Sequence, residues 1–208
     1  MDLSTPGADL LGAHESALLA ALGRLQGRAS GRYLERLAGI TSHAGAQRAL
    51  RRLVQTGVVT ATPTSATIDY EANRRHVLWP ALEALVASPR ARLDGIIVDV
   101  VGEKCGPATS ALLFGSVARG DSDVASDIDV LLIFPSDLVT EARWAAIDEL
   151  HDRLEPLFGN KLQIVDVERA DLERMAEHGD PLLRSWQLEA VLLAGPLPAL
   201  LRRHDSVA

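Results

Sequence analysis

Two aspartates stand two residues apart at the start of an apolar run near the middle of this chain. Asp127 and Asp129 open the run, which continues from Val130 to Phe134. Side chains on a strand alternate between faces and rise about 3.3 Å per residue, so both carboxylates project from one face, about 6.5 Å apart at the backbone. A run that is apolar on both faces indicates a covered central strand. Unpaired carboxylates would destabilise such a strand, so the pattern predicts a shared divalent cation.

A second apolar segment, residues 111–114, ends upstream at Gly115 and Ser116. Glycine lets the backbone approach a ligand closely. If Ser116 begins a helix, its hydroxyl and the free N–H groups there can hold phosphate oxygens. The order predicted from Ala111 to Phe134 is therefore strand, phosphate turn, short helix or loop, and strand.

At this point the sequence resembles the DNA polymerase β-type nucleotidyltransferases, in their small minimal form. The resemblance rests on Gly115-Ser116-x-Ala118-Arg119-Gly120 followed by Ser126-Asp127-Ile128-Asp129. It implies a mixed β-sheet flanked by helices, and nucleotidyl transfer from a nucleoside triphosphate to an acceptor. It also implies that Gly115, Ser116 and Arg119 bind the nucleotide, with Arg119 either steadying the loop or pairing with an acid.

The family also has a third carboxylate, on a strand beside the aspartate pair. In this chain an amphipathic helix is predicted over 141–158 and a strand over 161–167, with Asp166 on the same face as its apolar neighbours. Asp166 matches the third acid by position and pattern, and Glu168, two residues later on that face, is the fallback. The alternative is an acid exposed on an edge strand or at a turn.

The resemblance implies a two-metal mechanism. Asp127 and Asp129 would bridge two Mg²⁺ ions, for which Mn²⁺ is a substitute, and Asp166 would hold the ion that activates the acceptor hydroxyl. Ser116 and nearby N–H groups would hold the β- and γ-phosphates, which leave as pyrophosphate. The alternative for Asp127 and Asp129 is a pair of solvated turn residues capping a helix.

The first third of the chain has a different pattern. Helices are predicted over 14–25, 31–37 and 43–56, and a hairpin is predicted from the β-prone runs 58–62 and 66–70. Three short helices, a tight turn before the third and a hairpin after it resemble a bacterial winged helix-turn-helix. In that interpretation the 43–56 helix enters the DNA major groove and the hairpin touches phosphates.

The exposed face predicted for the 43–56 helix carries basic and amide side chains and no acid. Arginine can bond guanine edges and glutamine can bond adenine. The predicted DNA-binding residues are His43, Gln47, Arg48, Arg51 and Arg52. Residues 1–80 carry a net charge of +3 and residues 81–208 carry −10, which favours a nucleic-acid-facing first part. The alternative is a small helical domain with a solvated basic face or one that packs on the catalytic domain.

The fold class predicted is α+β in two domains. A winged helix-turn-helix domain is expected over 1–76, a helical linker over 77–104 and a nucleotidyltransferase domain over 105–208. A single cysteine, Cys105, excludes an intramolecular disulfide. No apolar run is long enough for a membrane span and no signal peptide is present, so the cytoplasm is the expected location.

Two functions compete on the sequence. The first is a metal-dependent nucleotidyltransferase with a DNA-binding module, whose acceptor the sequence does not name. The second is a DNA-binding regulator whose nucleotidyltransferase-like domain only senses a nucleotide, or a toxin-antitoxin component. Winged-helix proteins often bind two half-sites as dimers, so a homodimer is expected by analogy.

Overall fold

The chain forms two compact units in a computed structural model that describes residues 1–65, 67–87 and 89–202. The N-terminal unit consists of Asp2 and Ser4–Ser88, and the C-terminal unit of Met1, Leu3 and Pro89–Ala208. Each unit has its own hydrophobic core, and each is described by itself below.

The N-terminal unit packs its helices against a small antiparallel sheet of order β1-β3-β2. Its core consists of apolar side chains from the helices and strands, with Leu18, Leu34 and Leu50 fully buried. Its elements in chain order are α1 (Ala8–Leu11), α2 (Ala13–Arg24), β1 (Ala29–Ser30), α3 (Gly31–Leu37), α4 (His43–Gln55), β2 (Val59–Pro63), β3 (Ile68–Ala72) and α5 (Trp79–Val86).

Local sequence signals set the ends of the two helices before the hairpin. Ser30 caps α3 by accepting a hydrogen bond from the N–H of Tyr33, and Ser42 caps α4 by accepting one from Gly45. Serine favours this place because its hydroxyl satisfies a free N–H group of the first turn. The three predicted helices and the hairpin are confirmed within two residues, except that residue 66 lies outside the described residues. The short strand β1 was not predicted.

The segment expected to link two domains, 77–104, does not stand apart from them. Its first helix, α5, buries Trp79 and Val86 in the core of the N-terminal unit. Its second helix, α6 (Arg90–Cys105), buries Ile97 and Val100 in a core of the C-terminal unit. The predicted linker is therefore divided between the two units, because its two apolar stripes pack into different cores.

The C-terminal unit is a mixed four-stranded sheet with helices on both faces. The strand order is β6-β5-β4-β7, with β5 and β6 parallel and the other pairs antiparallel. After α6 the elements are β4 (Ser110–Phe114), α7 (Gly115–Arg119), β5 (Ile128–Phe134), α8 (Thr140–Phe158), β6 (Leu162–Glu168), α9 (Arg169–Glu177), α10 (Pro181–Glu189), β7 (Val191–Ala194) and a 3-10 turn (Ala199–Leu201).

The two faces of this sheet carry separate cores. One face presents Val130 and Leu132 to α6 and α8, and the other presents Leu131 and Ile133 to α9 and α10. All seven residues of β5 except Asp129 are buried. The predicted central strand is confirmed, and the helix-flanked mixed sheet agrees with the predicted fold of this half.

Two short elements follow α10. Residues 191–194 form the edge strand β7, which the sequence analysis did not predict. The turn Ala199–Leu201 comes next, and residues 203–208 lie outside the described residues. Among the described residues, no helix combines the length and apolar character needed to cross a membrane.

Candidate active site

Asp127 and Asp129 lie where β5 begins, on the face of the sheet that α9 and α10 cover. Asp129 pairs with Phe114 of the neighbouring strand β4, and its side chain lies on the same face as Leu131 and Ile133. Partial burial raises the pKa of the Asp129 carboxyl, and the nearby charges of Asp127 and Glu189 raise it further. The predicted aspartate pair is therefore close together, at an electrostatic cost that a cation would relieve.

The turn from β4 into α7 brings backbone against this pair. Gly115 has φ of 70°, in the left-handed region that favours glycine. A β-carbon at residue 115 would collide with the Asp129 carboxylate. Glycine is required at this position both by the backbone conformation and by the approach of the carboxylate. Ser116, the next residue, is partly exposed.

Glu189 at the end of α10 is a member of this site that the sequence analysis missed. Its carboxylate accepts hydrogen bonds from the Gly115 backbone N–H, from Arg119 Nη1 at 2.5 Å and from Ser185 Oγ at 2.7 Å. These bonds hold the pKa of Glu189 below its usual value even though burial acts to raise it. Glu189 lies more than 70 residues after the turn, so no local pattern identifies it.

Arg119 is held by acids on two sides. Besides Glu189, its Nε donates to Asp121 Oδ2 at 3.2 Å, and both partners raise the pKa of the guanidinium. The sequence left open whether Arg119 steadies the loop or pairs with an acid. The structure shows the pairing, and the acids are Glu189 and Asp121, not Asp127 or Asp129. By joining the end of α10 to the end of α7, the pair with Glu189 also braces the turn.

Asp166 does not join Asp127 and Asp129. In the parallel register of β5 and β6, Asp166 is opposite Leu132, whereas Asp129 is opposite Gln163. Neighbours in register share a face, so Asp166 faces the side of α6 and α8, the opposite side from Asp129. It is also three residues farther along, about 10 Å at the rise of a strand. Asp166 is exposed on an edge strand.

The fallback residue, Glu168, is also outside the site. It is opposite Phe134, five residues or about 16 Å along the strand from Asp129. Its carboxylate accepts a hydrogen bond from Arg143 Nη1 at 2.8 Å, and it forms a reciprocal cap with Asp171 at the start of α9. Glu168 therefore has a structural role at the far end of β6.

The residue that does face the pair from β6 is Gln163. It is paired with Asp129 across the strands, is exposed, and its side-chain amide donates to Asp127 Oδ2 at 2.7 Å. The sequence analysis missed it because Asp166 looked like the matching acid. The register of the two strands, which the sequence does not state, identifies the glutamine instead.

The chemistry of the donors tests whether metal ions fit here. Two carboxylates on one face suit Mg²⁺, which is usually held by one or two carboxylates together with substrate phosphates. Within residues 1–65, 67–87 and 89–202, no group of three or more His, Cys, Asp or Glu side chains is placed to hold a metal. Asp127 and Asp129 thus fit one cation, and the three-carboxylate centre expected from the sequence is not assembled.

The predicted DNA-binding face lies on α4 of the N-terminal unit, and part of it is occupied by an acid from α3. Glu35 accepts from Gln47 Nε2 at 3.3 Å and contacts His43 Nδ1 at 2.9 Å. The His43 ring is the largest cause of the lowered pKa of Glu35. The face has no acid of its own, but the fold supplies one beside its first turn.

The three arginines on α4 are exposed and differ in their partners. Arg52 forms an ion pair with Glu15 of α2 at 3.4 Å. Arg48 and Arg51 make no ion pair within the part of the chain that the structure describes. These two are the arginines most available to an anionic partner.

Comparison with known proteins bears on the C-terminal unit. Residues 96–192 match the family model described as "Nucleotidyltransferase domain". The matched residues include the Gly115 turn, the aspartate pair, Gln163 and Glu189. For this part of the chain, the match agrees with the resemblance to nucleotidyltransferases stated from the sequence.

Two solved structures are similar over half of this chain. One is a crystal structure of a toxin-antitoxin with AMP-PNP, at 22% identity, a TM-score of 0.36 and 73% coverage of that chain. The other is described as a "putative nucleotidyltransferase from Sulfolobus solfataricus" and has 19% identity, a TM-score of 0.31 and 80% coverage of that chain. A search of the curated proteins found no match. Likenesses this distant carry no argument about activity.

Replacing Gly115 should destabilise the C-terminal unit more than replacing Gly120. Both glycines have positive φ, 70° and 78°, so alanine costs about 1–2 kcal/mol of backbone strain at either position. Only at residue 115 does the added methyl group collide with Asp129, since the space beside Gly120 is open. Chemical denaturation should show Gly115→Ala to be the less stable variant. Equal losses would contradict the close packing of turn and carboxylate.

Asp129→Asn should stabilise the metal-free protein at neutral pH. The folded pKa of Asp129 lies above its usual 3.8, so the folded protein keeps a proton that the unfolded chain has lost as the pH rises through that window. Wild-type stability therefore falls with rising pH there, and asparagine removes this loss. In EDTA, Asp129→Asn should have a higher melting temperature than wild type at pH 7. The two melting temperatures should become equal as the pH falls toward 4. Asp166→Asn removes the same charge at an exposed position and is the control. If Asp129→Asn melts below wild type at pH 7, ionised Asp129 does not destabilise the folded protein.

Proposed function

We propose that the C-terminal unit is a nucleotidyltransferase that binds a nucleoside triphosphate at the Gly115 turn and moves its nucleoside monophosphate to an acceptor. In this reaction an acceptor oxygen bonds to the α-phosphorus, pyrophosphate leaves and the acceptor's proton is released. The observation that carries the proposal is the packing of Gly115 against Asp129 inside the segment that matches the nucleotidyltransferase domain.

Each residue of the proposed site has its own role in binding the nucleotide. Gly115 lets the triphosphate approach the backbone, and the Ser116 hydroxyl bonds its phosphate oxygens. Asp127 and Asp129 would hold Mg²⁺, for which Mn²⁺ is a substitute. The cation, when bound, offsets the charge of the phosphates and of the two carboxylates. Arg119 keeps the turn in place through its ion pair with Glu189.

A second candidate is a DNA-binding regulator whose C-terminal unit senses a nucleotide. The observation that favours it is the glutamine at residue 163, where a carboxylate would complete a metal set. Binding a nucleotide with its cation needs only the turn and the aspartate pair, whereas transfer also needs activation of an acceptor. The two candidates therefore share a binding site and differ in turnover.

We also propose that the N-terminal unit is a winged helix-turn-helix domain that binds DNA through α4. Its order of elements, with a helix pair before a β-hairpin and a short strand pairing with that hairpin, supports this. The exposed and unpaired state of Arg48 and Arg51 supports phosphate or guanine contacts from this helix. Arg52, His43 and Gln47 would first have to leave Glu15 or Glu35.

Label transfer should depend on Asp127 and not on Asp166. The full-length protein is incubated with Mg²⁺, the four α-³²P-labelled nucleoside triphosphates and cell lysate, and labelled products are separated on gels and by thin-layer chromatography. Asp127→Asn removes a cation ligand and should reduce transfer about 100-fold or more. Asp166→Asn, which makes the same change on the opposite face, should keep at least about half of the activity. Nucleotide binding without transfer by wild type would favour the sensor, and an equal loss in both variants would contradict the assigned site.

Replacing Arg48 and Arg51 by alanine should lower the affinity for DNA and make that affinity less dependent on salt concentration. The double alanine variant is compared with wild type on a random-sequence duplex by fluorescence anisotropy over a range of salt concentrations. Each lost phosphate contact lowers the slope of log K against log salt by about one. Arg24→Ala combined with Arg153→Ala lowers the net charge equally, at residues that do not belong to α4, and should bind like wild type. If both double variants bind alike, α4 is not the DNA-contacting helix.

A further inference from the structure

We propose that this centre binds its nucleotide with one divalent cation instead of two, because Gln163 occupies the position from which a third carboxylate would face Asp129. The inference rests on the proposed function and narrows it. A centre with one cation is expected to bind a nucleotide but to transfer its nucleoside monophosphate slowly.

The register of the two parallel strands carries the first step. Asp129 is opposite Gln163, and alternation along β6 places Val165 on the same face farther in. Lys161, just before β6, accepts a hydrogen bond at its carbonyl from Ile128 N–H at 2.8 Å, which fixes this end of the pairing. The side chains on this face, at or just before β6, are thus the Gln163 amide, the aliphatic Val165 and the Lys161 ammonium group. None of them is a carboxylate.

The hydrogen bond to Asp127 carries the second step. A carboxylate only accepts, so the Gln163 side chain must present its NH₂ group to Asp127 Oδ2, at 2.7 Å. A glutamate at the same place would be repelled by Asp127 in the absence of a cation. The amide instead satisfies one carboxylate oxygen and adds no charge. Gln163 therefore stabilises the pair before any ion binds, and leaves two negative charges where three would hold a second cation.

The other acids near the site are already engaged. Glu189 accepts three hydrogen bonds, from Gly115 N–H, Arg119 and Ser185, so its carboxylate serves the turn. Asp166 projects from the other face of the sheet. In the described residues no further carboxylate joins Asp127 and Asp129 to make a set of three.

Two ions in a phosphoryl-transfer site divide the work between the leaving and the attacking oxygens. With a single cation bound between Asp127, Asp129 and the phosphates, the triphosphate is held and its charge is offset. The acceptor hydroxyl would then lack a second cation to activate it, and β6 offers no carboxylate on the face of Asp129 to take its proton. Transfer is then limited at acceptor activation, while nucleotide affinity is retained.

The test counts ions and nucleotides separately on the full-length protein by equilibrium dialysis. The probes are Mn²⁺ and an equimolar mixture of the α,β-methylene analogues of ATP, GTP, CTP and UTP. Wild type should retain one Mn²⁺ per bound nucleotide. Gln163→Glu, which has the same length and completes three carboxylates, should retain two, with the second ion bound at least about tenfold more tightly than in wild type. Gln163→Asp serves as the second variant, and Gln163→Ala should stay at one.

The outcomes separate this inference from the proposed function. Two ions per nucleotide in wild type, or one in both acidic variants with nucleotide still bound, overturn the single-cation centre and leave nucleotide binding standing. No bound nucleotide in wild type overturns the proposed function and this inference with it. A rise in label transfer of about tenfold in Gln163→Glu, at unchanged melting temperature, would support a rate limit at acceptor activation.

Discussion

The close approach of the Asp129 carboxylate to the backbone of Gly115 is the constraint on which this site depends. It explains why residue 115 has no side chain, and why the strand β5 can carry an acid inside an otherwise buried run. Glu189 and Arg119 hold the turn through their ion pair. Burial raises the pKa of Asp129, the charges of Asp127 and Glu189 raise it further, and Arg119 lowers it. A cation bound at this pair would relieve the electrostatic cost.

Alternation along two paired strands decides which side chains can act together. Asp129 and Gln163 meet because they are in register, while Asp166 lies on the opposite face although it is only three residues from Gln163. An error of one residue in the assumed register reverses the face of every side chain on a strand. A carboxylate in the right strand is therefore weak support for a metal ligand until its partner across the sheet is known.

Tertiary contacts also decide which residues of the basic helix α4 are available to a partner. Its buried face includes Ala46, Ala49 and Leu53, and Ser42 caps its start. Its exposed face carried no acid in sequence, yet α3 contributes Glu35 to its first turn. The fold thus divides a set of residues that look equivalent in sequence into engaged and available members, and only the latter can meet a partner without first breaking a contact.

The sequence by itself determined the helices, the buried strand β5, the glycine turn and the aspartate pair, because periodicity, capping and short motifs act over a few residues. Only the tertiary structure decided that Glu189 braces the turn from about 70 residues away, that Asp166 is excluded, and that residues 77–104 are divided between two cores. Those outcomes depend on strand register and on which apolar faces pack together. Both are fixed by contacts between distant parts of the chain, and local pattern does not record them.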